Sequence, residues 1–186
     1  ETIRALAAAS QTVQVRPGVY LDLDCGQHRT GLPPGAEAVE LYRQMTDAVG
    51  LDVAGLHAYD GHIHEADVVK RRAQWAAAMA PVLALREQLE SAGLPVANLI
   101  AGGSPTFPFH AQHPDRECSP GTTVLWDFGY GDKFADLPFL PAAVLLTRVI
   151  SKPGPNRLCL DLGHKAVAAE NPHPRVRLLE LPDAEA

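Results

Sequence analysis

The sequence predicts an α/β fold in which short strands alternate with helices, followed by a segment built mainly of strands. Up to about Phe139, apolar runs alternate with amphipathic segments, a period that implies parallel strands joined by right-handed crossovers. After Phe139 the helical pattern stops, and strand-like runs joined by turn residues indicate antiparallel pairing. The period alone fits both a barrel and an open, doubly wound sheet.

The predicted elements follow in order along the chain. Strands are expected at residues 19–24, 53–58 and 96–100, and helices at residues 1–10, 35–49 and 66–91. Beyond them, strand-like runs at 141–152 and 156–168 flank the turn residues 153–156, and 175–182 is another possible strand. We therefore expect one domain at residues 1–139 and the beginning of a second at 140–186.

Composition narrows the class of protein. The 186 residues are 46% hydrophobic and carry a formal net charge of -6 without a block of Lys or Arg, which disfavours nucleic acid or an anionic membrane as partner. No apolar run is long enough to span a bilayer, and no signal peptide opens the chain. Cys25, Cys118 and Cys159 form no CxxC pair, so neither disulfides nor a zinc ribbon is indicated and a cytoplasmic location is expected.

The segment DLDCGQHRTG, residues 22–31, lies where the first strand is expected to end. In a barrel that end is where catalytic groups gather. Alternation along the strand predicts that Asp22 and Asp24 share one face, and Arg29 follows in a loop from which it could reach a ligand oxygen. The alternative is a solvated turn with a structural Asp–Arg pair.

The segment GLHAYDGHIH, residues 55–64, lies at the end of the next strand. Alternation predicts that Val53, Gly55, His57 and Tyr59 share one face. His57 together with two further histidines could indicate a metal site. Their spacing fits no zinc signature, so the hypothesis of a metal site is disfavoured. The three histidines are His57, His62 and His64.

Two glycine-containing turns could bind an anion. AGGSPT, residues 101–106, follows a buried strand, and its glycines would let backbone N–H groups approach a phosphate closely. ECSPGTTVLWDFGYGDKF, residues 117–134, contains a Pro-Gly turn that could supply a second phosphate wall. Neither is a Walker loop or a GxGxxG fingerprint, and an ordinary strand–turn or hairpin is the alternative for each.

Taken in this order, the motifs resemble the D-threonine aldolase / D-serine dehydratase family. The matching stretches are DLDCGQHRTG, GLHAYDGHIH, AGGSPT, CSPGTTVLWDFGYGDKF and LDLGHKAVAAENP, which span nearly the whole chain. The resemblance implies a partial (β/α)8 TIM barrel of the alanine racemase N-terminal type, among fold-type III pyridoxal-phosphate enzymes, followed by the start of an antiparallel β domain.

The resemblance also implies a set of cofactor-binding residues. Arg29 would contact the phenolic oxygen of pyridoxal 5'-phosphate, and Tyr59 would lie near its pyridine nitrogen. The phosphate would be held by two turns, the first formed by Gly102, Gly103 and Ser104 and the second by Gly121 and Thr122. Two positions depart from alanine racemase, which has a lysine where Asp22 stands and an arginine where Ser119 stands. These departures favour the aldolase and dehydratase branch.

Some features that the resemblance implies are expected outside this chain. The Schiff-base lysine would lie upstream of Glu1, and the metal ligands, for zinc or manganese, downstream of Ala186. The chain opens without methionine directly into a helical pattern, so we expect an internal fragment that is inactive alone. None of the four lysines matches the family nucleophile, although Lys133 lies near the presumed site and is the one exception to consider.

The activity implied for the complete enzyme is retro-aldol cleavage of D-threonine to glycine and acetaldehyde, a lyase reaction on D-3-hydroxy amino acids. The alternatives are D-serine dehydration, a non-catalytic barrel that binds pyridoxal phosphate, and a metal-dependent barrel hydrolase that uses the histidine cluster. The strand-rich segment after Phe139 favours an enzyme over the non-catalytic protein. A homodimer is expected for the full-length protein.

Overall fold

A computed structural model describes residues 1–179 and 181 of the chain. Helices and strands alternate through the first two thirds, and a two-stranded element follows. The helices are α1 (Thr2–Val13), α2 (Ala36–Asp47), α3 (Val68–Ser91), α4 (Phe107–His110) and α5 (Phe128–Lys133). The strands are β1 (Gly18–Leu23), β2 (Asp52–Ala58), β3 (Asn98–Ala101), β4 (Glu117–Cys118), β5 (Val149–Gly154) and β6 (Arg157–Leu160). Short 3₁₀ turns lie at Thr122–Val124 and His164–Ala166.

The first four strands form one parallel sheet in the order β1-β2-β3-β4. This confirms the predicted α/β fold, and the sheet has the arrangement of part of a (β/α) barrel. The register between β1 and β2 shifts after Val19, which pairs with Val53, because Tyr20 pairs with Gly55. Sequence alternation placed Val53 on the face of His57, and this was wrong, because the extra residue reverses the alternation and Val53 packs against the core.

The core lies between the helices and one face of the sheet. Strand side chains such as Leu23, Leu56 and Leu99 are at most 2% exposed and pack in one cluster with Tyr42 of α2 and Met79 of α3. The Tyr42 hydroxyl donates to the carbonyl of Pro95 over 2.9 Å, so burial of this polar group is compensated. Asp22 of β1 and His57 of β2, which alternate with these core residues, each keep about a third of the side chain exposed.

The long helix α3 begins where the sequence supplies a capping residue. The Asp67 carboxylate accepts from the backbone N–H groups of Val69 and Lys70 at 2.9 and 3.0 Å, which satisfies two of the free donors of the first turn. The helix therefore begins at Val68, two residues after the predicted start at residue 66, and ends at Ser91 as predicted.

The fully buried Arg71 joins α3 to a second, smaller core cluster formed by Trp126, Phe134 and Leu137. Its guanidinium donates to Asp136 and to the carbonyls of residues 65 and 66, and lies 5.0 Å from the centre of the Phe134 ring. A buried charge is stable only when it is paired and hydrogen-bonded, and these contacts provide both. Arg71 thereby anchors residues 126–137, which follow the second glycine turn, against the sheet domain.

The carboxyl-terminal segment contains less strand than the sequence predicts. The hairpin around residues 153–156 is confirmed, because β5 and β6 pair antiparallel. Residues 141–148 are irregular and almost all exposed, residues 164–166 form a 3₁₀ turn, and residues 175–179 form no strand. Of the possible strand at 175–182, residues 180 and 182 lie outside the described residues. The domain boundary after residue 139 stays a prediction. Among the described residues, no helix is both long and apolar enough to cross a membrane.

Candidate active site

The loops that follow β1, β2 and β3 lie at one edge of the sheet. Because these strands are parallel, their carboxyl ends meet at that edge, which is where ligands bind in both barrels and open α/β sheets. The three motifs singled out in the sequence follow these three strands, so the fold brings them together.

The loop after β1 is organised by Asp24. Its carboxylate accepts from the backbone N–H groups of Gly26 and His28 at 2.9 and 3.0 Å, and a ring nitrogen of His28 lies 2.9 Å from its second oxygen. The N–H groups of His28 and Gly26 lower the pKa of Asp24 to about 2. β1 ends at Leu23, so Asp24 lies in the loop that follows the strand, and a face shared with Asp22 stays a prediction.

That loop delivers Arg29 to the ring of Tyr59. The guanidinium carbon lies 4.9 Å from the ring centre, a distance suited to a cation–π contact. Two glycines also lie close to the ring. A Cβ atom at Gly61 would lie 2.2 Å from atoms of the Tyr59 ring, and one at Gly103 would lie 3.5 Å from it. The structure therefore brings three predicted site residues into one contiguous group, Arg29, Tyr59 and Gly103.

The two glycine turns also meet. The backbone N–H of Thr122 donates to the hydroxyl oxygen of Ser104 over 3.1 Å. Gly102 has a φ of 117°, a conformation that favours glycine, and Ser104 is 5% exposed. A Cβ atom at Gly121 would meet no atom within 4 Å, so the second turn is open on that side. The two turns at residues 102–104 and 121–122, which were predicted separately, are thus adjacent and form one double turn.

Tyr130, which was not predicted as a site residue, lies beside this double turn. Burial raises the pKa of Tyr130, a hydrogen bond with the Thr122 side chain lowers it, and the neighbouring Tyr59 raises it. Tyr130 therefore lies close to two predicted site residues, Thr122 and Tyr59. The sequence signal was its position within the matching stretch GYGDKF, one element after the turn.

An Asp–His pair, also not predicted, lies on the same sheet face. Asp22 and His57 occupy paired positions of β1 and β2, and His57 Nδ1 lies 2.6 Å from the Asp22 carboxylate. A carboxylate only accepts, so Nδ1 carries the proton and Nε2 of a neutral ring keeps a free lone pair. The predicted alternative of a structural Asp–Arg pair is replaced by Asp–His contacts at both Asp22 and Asp24.

His62 and His64, the other two histidines of the predicted cluster, are exposed. His62 packs against Gly26, whose Cβ would come within 2.7 Å of the ring, and His64 is exposed. Within residues 1–179 and 181, no group of three or more His, Cys, Asp or Glu side chains is arranged to hold a metal ion. The lysine side chains are all exposed; they are Lys70, Lys133, Lys152 and Lys165.

The parallel α/β sheet has the alanine-racemase-like fold and is consistent with part of a (β/α) barrel. The sequence profile of that family, described as "Alanine racemase, N-terminal domain", matches residues 1–127, and the chain belongs to this family. Residues 142–184 match a second profile, described as "Putative serine dehydratase domain". Both matches confirm the resemblance seen in the sequence.

Several individual proteins that are similar to this chain are aldolases. A D-threonine aldolase of Arthrobacter sp. is 31% identical over 82% of this chain, and a 3-hydroxy-D-aspartate aldolase of Paracoccus denitrificans is 26% identical over 95% of it. The crystal structure of D-threonine aldolase from Filomicrobium marinum superposes with a TM-score of 0.80 over 89% of this chain at 26% identity. The chain spans 41%, 48% and 46% of the length of these three proteins, respectively.

Proposed function

We propose that this chain forms part of the cofactor-binding barrel of a pyridoxal 5'-phosphate-dependent lyase that cleaves D-3-hydroxy amino acids, with D-threonine giving glycine and acetaldehyde. The observation that carries the proposal is the joining of the two glycine turns through Ser104 and Thr122, beside the Arg29–Tyr59 stack. The aldolase names of the relatives support the reaction class.

The chemistry of this edge fits the phosphate of the cofactor. Within the described part of the chain, the backbone N–H of the buried Ser104 has no hydrogen-bond partner. A buried donor without a partner costs about 1–3 kcal/mol, and an anion at this position would remove that cost. Thr122 and the open side of Gly121 supply the opposite wall. Gly102 and Gly103 keep the turn free of side chains.

The aromatic half of the site fits the ring of the cofactor. Arg29 would bind the phenolic oxygen, since its guanidinium is permanently charged and donates to oxygen anions. Tyr59, held between Arg29 and Gly61, would lie near the pyridine nitrogen as a neutral partner. When bound, the cofactor supplies the electron sink that allows a bond to the substrate Cα to break. This chain's residues bind it, orient it and exclude water from its phosphate.

Zinc or manganese, which the resemblance implies for the complete enzyme, finds no ligand set in residues 1–179 and 181. The roles proposed for the residues of this chain therefore involve no metal. We propose that its ligands, like the Schiff-base lysine, belong to other parts of the complete protein.

The product profile of the complete protein tests the proposal. With pyridoxal phosphate present, we expect glycine and acetaldehyde from D-threonine. D-Serine dehydration, the second candidate, is favoured by the serine dehydratase profile over residues 142–184 and would instead give pyruvate and ammonia. The match to a 3-hydroxy-D-aspartate aldolase makes that amino acid the third substrate to offer. A protein that binds the cofactor but converts none of the three would be the non-catalytic barrel.

A further inference from the structure

A buried polar network lies directly beneath the first glycine turn. The side chains of Asp60, Thr106 and His110 are each at most 1% exposed. One oxygen of Asp60 lies 2.8 Å from the Thr106 hydroxyl, and the other lies 2.8 Å from His110 Nε2. These residues come from the loop after β2 and from the turn and helix after β3, so the network joins two neighbouring site loops.

The protons in this network can be assigned from its chemistry. A carboxylate only accepts, so Thr106 donates its single hydroxyl proton to Asp60 and His110 donates from Nε2. The Thr106 hydroxyl is also 3.1 Å from the carbonyl of Gly103, but its proton goes to the closer, charged acceptor. Its oxygen is then free to accept from the backbone N–H of Gly103 over 3.2 Å.

Both polar groups of Gly103 are therefore fixed. Its N–H donates to Thr106, and its carbonyl accepts from the N–H groups of Thr106 and Phe107 at 3.2 and 2.9 Å. A trans peptide places its N–H opposite its C=O. Since the Gly103 carbonyl faces α4, the N–H of Ser104 in the same peptide points away from α4. This is the N–H that has no partner in the described part of the chain.

We propose that Thr106, supported by Asp60 and His110, is a positioning residue that holds the Gly103–Ser104 peptide in the orientation that receives the cofactor phosphate. This inference rests on the proposed function. A carboxylate beneath an anion site would ordinarily oppose the anion, but here both oxygens accept hydrogen bonds. Apolar side chains would fill the same volume at lower cost, so the network is better explained by orientation than by packing.

The test separates the phosphate from the rest of the cofactor. Dissociation constants for pyridoxamine 5'-phosphate and pyridoxamine are measured by titration calorimetry; both lack the aldehyde, so they differ only in the phosphate. In wild type the phosphate should strengthen binding. In Thr106→Val that gain should fall by about tenfold, which corresponds to losing roughly 1.4 kcal/mol, about one hydrogen bond. Thr106→Ser, which keeps the hydroxyl, should retain the gain.

Thr46→Val is the matched control, since the Thr46 hydroxyl donates to a carbonyl within α2, away from this edge. If Thr106→Val weakens both ligands equally, or neither, the positioning role is refuted while the proposed function stands. If wild type does not discriminate between the ligands, the proposed function fails and the inference fails with it. Should Thr106→Val not fold, Thr106→Ala takes its place, because it also removes the hydroxyl; the same loss of discrimination is expected and the same results overturn the proposal.

Discussion

At the scale of single residues, the site differs from an ordinary barrel interior in its polarity. Barrel interiors are filled mainly by branched aliphatic side chains. Here Asp22 and His57 face each other across β1 and β2, with about a third of each side chain exposed. Their 2.6 Å contact through Nδ1 fixes the orientation of the imidazole ring. A polar pair where the fold favours aliphatic residues is the kind of local exception that functional sites produce.

Replacement of Arg29 tests the cofactor site at this scale. Arg29→Ala should weaken binding of pyridoxamine 5'-phosphate by about tenfold or more, since a charge-assisted hydrogen bond contributes roughly 1.5–3 kcal/mol. In the complete enzyme it should also weaken catalysis and shift the cofactor's absorbance. Arg4→Ala, at an exposed position of α1, serves as the control. Unchanged affinity and an unchanged spectrum in Arg29→Ala would refute the contact.

Asp24 predicts a pH dependence of folding. Its pKa of about 2 lies below the ordinary aspartate value of 3.8, so the folded protein binds this proton more weakly than the unfolded chain. The carboxylate therefore stabilises the fold fully above about pH 4, and this stabilisation is lost as the pH falls towards 2. The difference in unfolding free energy between wild type and Asp24→Asn should shrink over that interval in urea titrations.

The control for this experiment is Glu87→Gln, because Glu87 is exposed and has no hydrogen-bond partner in the described part of the chain. The difference in unfolding free energy between wild type and Glu87→Gln should change less between pH 5 and pH 2 than the difference for Asp24→Asn. A difference for Asp24→Asn that is independent of pH would contradict the role of the loop N–H groups.

At the scale of elements, the site depends on how closely β2 and β3 approach. Gly55 faces Asn98, and a Cβ atom at Gly55 would lie 1.9 Å from the Asn98 carbonyl oxygen. Gly55 also has a φ of 145°, which side chains rarely adopt. Tyr59 and Gly103 follow these two strands, so the strand spacing sets the distance between the ring contact and the phosphate turn.

Gly55→Ala should therefore destabilise the protein by roughly 1–3 kcal/mol, the usual cost of overpacking. Gly18→Ala is the matched control, because its Cβ would meet another atom only at 3.7 Å and Gly18 also lies in a strand. Urea unfolding followed by tryptophan fluorescence measures both variants. Equal stability of the two would show that β2 and β3 can separate without cost.

At the scale of the whole molecule, the described residues form an open sheet rather than a closed barrel. The sheet ends at β1 on one side and at the two-residue β4 on the other, whereas a barrel closes on itself and leaves no edge. Leu140 and Leu146 are 82% and 98% exposed, in the irregular segment before β5. The chain spans 41% and 46% of the length of the two D-threonine aldolases, which agrees with a sheet that does not close into a barrel.

We expect the chain alone to be catalytically inert. Schiff-base catalysis needs a lysine amine held against the cofactor, and the four lysines here are exposed. Borohydride reduction with pyridoxal phosphate, followed by peptide mapping, should give scattered trace labelling and no glycine release from D-threonine. A single stoichiometric adduct at Lys133 or Lys165, with turnover, would show that the nucleophile lies within this chain.

The sequence by itself determined the α/β alternation, the parallel sheet, the family and the strand-end motifs, because each of these rests on local periodicity or on an ordered set of short motifs. The predictions from sequence that were wrong also rested on local patterns. An extra residue in β2, Ala54, puts Val53 on the face opposite to the predicted one, and β1 ends at Leu23, one residue before the predicted end at Asp24. Alternation cannot anticipate an extra residue that only strand pairing reveals.

Only the tertiary structure decided which polar groups meet. Asp60 binds Thr106 and His110 from 46 and 50 positions away, Asp22 binds His57 from 35, and Thr122 binds Ser104 from 18. No local pattern marks such partners, because a hydrogen bond depends on distance in space and not on spacing along the chain. The sequence located the turns of this site, and the packing of β1, β2 and β3 joined them through contacts that reach across the sheet.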